Sequence, residues 1–181
     1  MSIKRKASPT TAIYCAEYRK YLTEVVCKET LLCIDPGETA GWAIFQNGEL
    51  RYFGHLLVKQ MIDDGATLDV VLRDFFCSCR LLADTDVFKC VIEDYVVYAH
   101  KLQANVWSSL FTVRLIGAVE LFCAQQNLPL SYQMAAEAKF FGSEEKMKRW
   151  GIWQISFRHA NDAIRHGLYY MLRKSNKGNN K

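Results

Sequence analysis

The sequence predicts an α/β domain built on a mixed five-stranded sheet, three antiparallel strands followed by parallel ones, with helices on both faces. Two patterns and one size argument carry this. Beyond residue 30, short apolar runs alternate with tight-turn residues, and then further apolar runs alternate with long stretches of helical periodicity. The chain has 181 residues, half of them apolar, which suits one domain with a sizeable core and leaves little room for a second.

Residues 1–9 carry Lys4, Arg5 and Lys6 without periodicity and are expected to be disordered. Tyr14, Tyr18, Tyr21, Leu22 and Val25 then recur at helical spacing behind a capping Thr10 or Thr11, which predicts an amphipathic helix over 11–28. It would pack against the domain or a partner. Leu31-Leu32-Cys33-Ile34 is a buried strand halted by Asp35-Pro36-Gly37. Gly41 to Phe45 is a second strand, closed by the hairpin pair Asn47-Gly48. Arg51 to Val58 is a third. Residues 66–83 are helical, with Leu68, Val71, Leu72, Phe75 and Phe76 on one face. Asp86 to Glu93 reads as a buried strand ending on an acid, and 102–125 as a long helix. Leu128 to Tyr132 is the fifth strand, 134–148 is helical in pieces broken at Gly142, and 158–173 is the last helix. The domain division is therefore 1–29, a basic extension, 30–174, the main domain, and 175–181, a disordered tail.

The net charge of +4 is unevenly spread. Residues 1–30 hold six Lys/Arg against three Asp/Glu, residues 139–181 hold ten against three, and the centre holds seven against thirteen. Basic ends around an acidic middle suit a protein that grips a polyanion at its edges and cations at its centre, although two solvated basic ends give the same count. The seven cysteines are odd in number and several lie in apolar runs, so reduced, mostly buried thiols are expected. Cys77 and Cys79 have the wrong spacing for a zinc knuckle. No signal-peptide core follows the basic start, and no apolar run approaches the roughly 20 residues of a bilayer crossing. The expectation is a cytoplasmic protein with no membrane association.

Three acids stand at comparable places. Asp35 ends the first strand, Glu93 ends the fourth, and Asp162 lies among apolar positions of the last helix. Neighbouring strand tips would bring Asp35 and Glu93 to one ion, and a helix crossing that edge would add Asp162. Carboxylates so close ionise poorly without a cation between them. Oxygen ligands suit Mg²⁺ or Mn²⁺, and a pair of such ions can hydrolyse a phosphodiester. Taken singly, each acid has a plainer role: Asp35 as a turn residue, Glu93-Asp94 as strand-end solvation, Asp162 as an acid paired with Arg158 or Arg165. His159 shares a helix face with Asp162, one turn away. His166, one turn beyond, would make a His-x-x-Asp-x-x-x-His zinc site, but that leaves both strand-end acids unexplained.

Cys33-Ile34-Asp35-Pro36-Gly37 followed by Gly41-Trp42-Ala43 resembles the first motif of the RuvC-type Holliday-junction resolvases, members of the RNase H-like superfamily. Val91-Ile92-Glu93-Asp94-Tyr95 resembles their second motif. The helix bearing Asn105, Arg114 and Gly117, the pair Leu128-Pro129, Lys139, and His159-Ala160-Asn161-Asp162-Ala163 are similar to the later elements, so that the likeness spans roughly residues 30–174. The resemblance implies an RNase H-like fold and a Mg²⁺-dependent endonuclease (Mn²⁺ as substitute, two ions per site) that resolves four-way junctions. Asp35 would bridge both ions, Glu93 and Asp162 would each bind metal, and His159 would be a ligand or a water-orienting base. Phosphates need cations around such an acidic centre, and Lys139, Lys146, Lys148, Arg149, Arg158 and Arg165 are the candidates, against a solvated basic helix; Tyr95 and Tyr98 would stack at the junction, against plain packing. The partner would be branched DNA, and the active form a homodimer joined through the long helix. Departures are the N-terminal extension and the segment Phe140 to Lys146. Such divergence fits a viral or phage member acting in the host-cell cytoplasm. Two other readings stay open: a branched-DNA or flap nuclease of the same fold, and a catalytically inactive DNA-binding homologue. A sugar-kinase-like ATPase would need a longer, two-domain chain.

Overall fold

The computed structural model describes Tyr18, Leu22 and residues 28–95 and 99–178, the side chains of 96–105 and 176–178 excepted. The elements are β1 (Leu31–Asp35), β2 (Ala40–Gln46), β3 (Glu49–Leu56), α1 (Val58–Asp63), α2 (Leu68–Ala83), β4 (Lys89–Asp94), α3 (Ala99–Gln125), β5 (Leu130–Met134), α4 (Ala135–Phe141), α5 (Glu144–Arg149) and α6 (Arg158–Gly178). They form the expected mixed sheet, in the order β3-β2-β1-β4-β5. β1, β2 and β3 pair antiparallel, while β4 runs parallel to both β1 and β5. Asn47 and Gly48 both take positive φ, 54° and 72°, as the tight β2–β3 hairpin requires.

Strand alternation sorts the core into two layers. Leu32, Ile34, Trp42, Ile44, Cys90 and Ile92 pack with α2 and α3 on one face. Leu31, Cys33, Ala43, Phe45 and Val91 pack against Ala160, Ala163, Ile164, Leu168 and Met171 of α6 on the other. Two glycines let α6 lie directly on the sheet. A Cβ on Gly41 would meet the His159 carbonyl oxygen at 2.0 Å, and one on Gly167 would meet the Phe45 ring at 2.3 Å. The start and middle of α6 are thereby seated on β2 and β1.

Several boundaries differ from expectation. β3 stops at Leu56, and Val58 is buried as the first residue of α1, an unanticipated helix that a Lys59–Asp63 ion pair at 2.7 Å spans. The strand expected from Asp86 begins only at Lys89, because Thr85 Oγ1 accepts from the Val87 N–H and turns the chain there. The tail expected to be disordered from 175 instead continues α6 to Gly178, with Ser175 buried and donating to the Met171 carbonyl. α3 contains a run, Val106–Gln125, whose 20 residues and mean hydropathy of 1.5 reach membrane-spanning length and composition, contrary to the sequence reading. Its Leu115, Val119 and Cys123 nevertheless face the core. Of the predicted 11–28 helix, all but Tyr18, Leu22 and Lys28 lies outside the described residues. Tyr18 is fully buried beside Trp150 and donates to the Gly48 carbonyl at 2.9 Å. Cys33, Cys79, Cys90 and Cys123 are buried free thiols and Cys77 is an exposed one.

Candidate active site

The β1–β4 register sets Ile34 opposite Ile92, so the next residues, Asp35 and Glu93, lie side by side at the strand tips. Both follow the odd-numbered positions of their strands and therefore face α6. α6 meets them with His159, Asp162 and His166, which share one helix face at spacings of three and four. His159 Nδ1 lies 3.0 Å from Asp35 Oδ2, and His166 Nε2 lies 3.0 Å from Glu93 Oε2. Asp162 accepts from Arg165 Nη1, and Lys139 Nζ on α4 stands 4.0 Å from its other oxygen. Arg165 also donates through Nε to the Gly142 carbonyl at 2.8 Å and lies 5.3 Å from the Trp153 ring. It thus ties the end of α4 to Asp162.

The electrostatics are those of crowded, dry carboxylates. Burial pushes the Asp35 carboxyl up to about 6, and the charges of Glu93 and Asp162 push the same way, against the hydrogen bond from His159. Burial alone would raise Glu93 too, but the His166 hydrogen bond and Lys139 hold it below the usual carboxylate range. The bond to Asp35 raises His159. Burial, and then the charge of His159, lowers the neighbouring His55, whose ring lies 5.8 Å away.

Among the described residues no group of three or more His, Cys, Asp or Glu is arranged as a ready ligand set. The acids are turned instead toward His159, His166 and Arg165. The donor set itself fits a hard divalent cation: buried carboxylate oxygens, one of them raised first by burial and then by its neighbours' charges, are what such an ion relieves.

Asp35, Glu93, His159 and Asp162 are brought together, with Lys139 and Arg165 at Asp162 and Arg158 near His159. The other predicted DNA contacts are not. Lys146 donates to the Phe141 carbonyl, and Lys148 pairs with Glu144 at 2.7 Å. Arg149 is exposed on α5. Tyr95 is bonded to Ser109 of α3 at 3.0 Å, which draws it toward that helix rather than outward, and Tyr98 lies outside the described residues. Sequence reasoning missed Gln133 and set His166 aside as a zinc ligand. The signal for His166 was its position four residues after Asp162. For Gln133 it was an inward-facing amide in a strand.

No protein-family model matches the chain, and no curated protein sequence resembles it significantly. Its fold does have solved counterparts. A structure of T. thermophilus RuvC in complex with Holliday junction substrate superposes with a TM-score of 0.58 at 11% identity, covering 81% of this chain and 94% of that one. A second Thermus thermophilus RuvC structure gives a TM-score of 0.56 at 12% identity, covering 82% and 96%. The chain has the RuvC-like, RNase H-type fold.

Proposed function

We propose that this protein is a metal-dependent endodeoxyribonuclease that cuts branched DNA, with the four-way junction as its substrate. One observation carries the reading: two adjacent strand tips and one helix face converge Asp35, Glu93, Asp162 and His159 within a RuvC-like fold. Those four residues would hold the cations. Mg²⁺, or Mn²⁺ in its place, would supply an activated water and charge neutralisation at the leaving oxygen, with two ions per site. His159, half-exposed and 3.0 Å from Asp35, would be either one of those ligands or, in place of that, the group that orients the water. Lys139, 4.0 Å from Asp162, and Arg158, whose charge reaches His159, would meet the flanking phosphates, and the exposed Lys148 and Arg149 would extend that basic surface.

Resolving a junction takes two cuts, which a two-fold dimer supplies. Val106, Leu110, Val113 and Leu121 form an exposed apolar row on α3. Gly117 lies in the same row, with nothing within 4 Å of the place a Cβ would take. A second copy of α3 against this row would dry it and make use of the glycine's thinness.

The test is cleavage of a synthetic four-way junction, a flap and a plain duplex with Mg²⁺, with nick positions mapped. Paired nicks in opposing strands of the junction are expected. Asp35→Asn should abolish cutting and retain junction binding. An Asp35→Asn protein that cuts as fast as wild type refutes the site, and faster cutting of the flap reassigns the substrate.

A further inference from the structure

His166 is buried between two side chains, with Nε2 3.0 Å from Glu93 Oε2 and Nδ1 3.1 Å from one end of the Gln133 amide. A neutral imidazole carries its proton on either nitrogen, and the neighbours decide which. Here the amide decides. The end of Gln133 that faces Nδ1 also lies 3.0 Å from the His166 carbonyl oxygen, and its other end lies 3.3 Å from the Tyr170 N–H. A carbonyl oxygen only accepts and a backbone N–H only donates. Gln133 therefore turns its NH₂ toward His166 and its oxygen toward Tyr170. The NH₂ donates to Nδ1, so the ring proton belongs on Nε2, where it is donated to Glu93.

We propose that Gln133 and His166 are positioning residues that aim Glu93: the amide fixes the imidazole, and the imidazole holds one carboxylate oxygen and leaves the other for a cation. The proposal rests on Glu93 being a cation ligand, as argued above. The fold supports the arrangement from both sides. Gln133 is the cross-strand neighbour of Glu93 in the β4–β5 ladder, and His166 adjoins Gly167, whose close contact with Phe45 fixes α6 against the sheet. A glutamate side chain has several rotatable bonds, and fixing it in advance removes a cost from ion binding. Gln133 and His166 are 6% and 1% exposed, so they act through Glu93 and not on DNA.

The experiment measures Mn²⁺ binding to the full chain by calorimetry without DNA, and steady-state junction cleavage with Mg²⁺. His166→Leu should weaken Mn²⁺ roughly 10- to 100-fold and lower kcat, with KM for the junction unchanged. Gln133→Leu should move both in the same direction by less. His166→Gln, whose amide nitrogen can replace Nε2 as the donor to Glu93, should recover most of the loss. A folded His166→Leu with wild-type Mn²⁺ affinity overturns the proposal, as does a His166→Gln no better than His166→Leu, since packing alone would then be at work. If His166→Leu does not fold, Gln133→Leu decides, and wild-type affinity there overturns it. Wild-type protein that binds no Mn²⁺ and cuts nothing overturns the nuclease reading together with this one. Wild-type protein that does both, beside variants that match it, overturns this one alone.

Discussion

Replacing Asp35 by Asn should stabilise the metal-free protein while destroying its activity. Asp35 is 8% exposed and its carboxyl is pushed up to about 6 from an ordinary 3.8. The folded chain therefore prefers the protonated acid. That preference contributes fully below the unfolded value and is lost as pH rises through about 6. A gap of about 2 units corresponds to about 3 kcal/mol that the ionised side chain takes from stability at neutral pH. Asparagine carries no charge at any pH and escapes this cost. Thermal melts at pH 7 in EDTA should place Asp35→Asn roughly 6–12 °C above wild type, and the gap should close by pH 4. Saturating Mg²⁺ should then raise the wild type, by about 2.7 kcal/mol at a hundredfold excess over Kd, and leave the variant where it was. A variant that melts at or below wild type at pH 7 in EDTA would refute the picture of an Asp35 charge held in a dry site beside other carboxylates.

Other perturbations reach different parts of the same construction. Gly41→Ala would drive a methyl group into the His159 carbonyl and lift α6 from the sheet, costing about 3 kcal/mol in urea denaturation and all measurable cutting; a stable, active variant would show that α6 is not seated there. Arg165→Ala frees Asp162 and the end of α4 together, so kcat should fall about a hundredfold with little change in junction affinity by gel shift. Trp42→Ala empties the middle of the α2/α3 layer, where the indole packs edge-on against Phe75, and should lower unfolding free energy by about 3–5 kcal/mol. Mn²⁺ affinity of the free protein should weaken on acidification through about pH 6, as Asp35 takes up its proton, and calorimetry from pH 5 to 8 would register the change.

The parts of the fold that sequence made plain are those governed by short-range rules. Asn47-Gly48 announced its hairpin because few other pairs tolerate two positive φ values. Each acid alone had a plain structural role, and the acids stood out only together, as carboxylates at the ends of two apolar runs, Leu31–Ile34 and Val91–Ile92, with a third on the last helix. α1 was hidden because Leu56-Leu57-Val58 continues the apolar pattern of β3, and only burial of Val58 from the helix side separates them. Val87 looked like strand but is exposed, since Thr85 had already committed its N–H to a turn. The partners of the acids were the least legible. His166 meets Gln133 across 33 residues and Glu93 across 73, and no local spacing encodes a contact that only the finished sheet creates. The bond between Tyr95 and Ser109 on α3 was hidden for the same reason.

The order of the strands bears on when the proposed cation site can form. Asp35 and Glu93 become neighbours only where β4 is docked on β1, and His159, Asp162 and His166 lie on α6, which follows every strand in the chain. Without that docking the acids are separate, solvated side chains. On the proposed reading, the ability to gather ions therefore belongs to the completed tertiary structure, and lifting α6 from the sheet would remove it even with all five strands still paired.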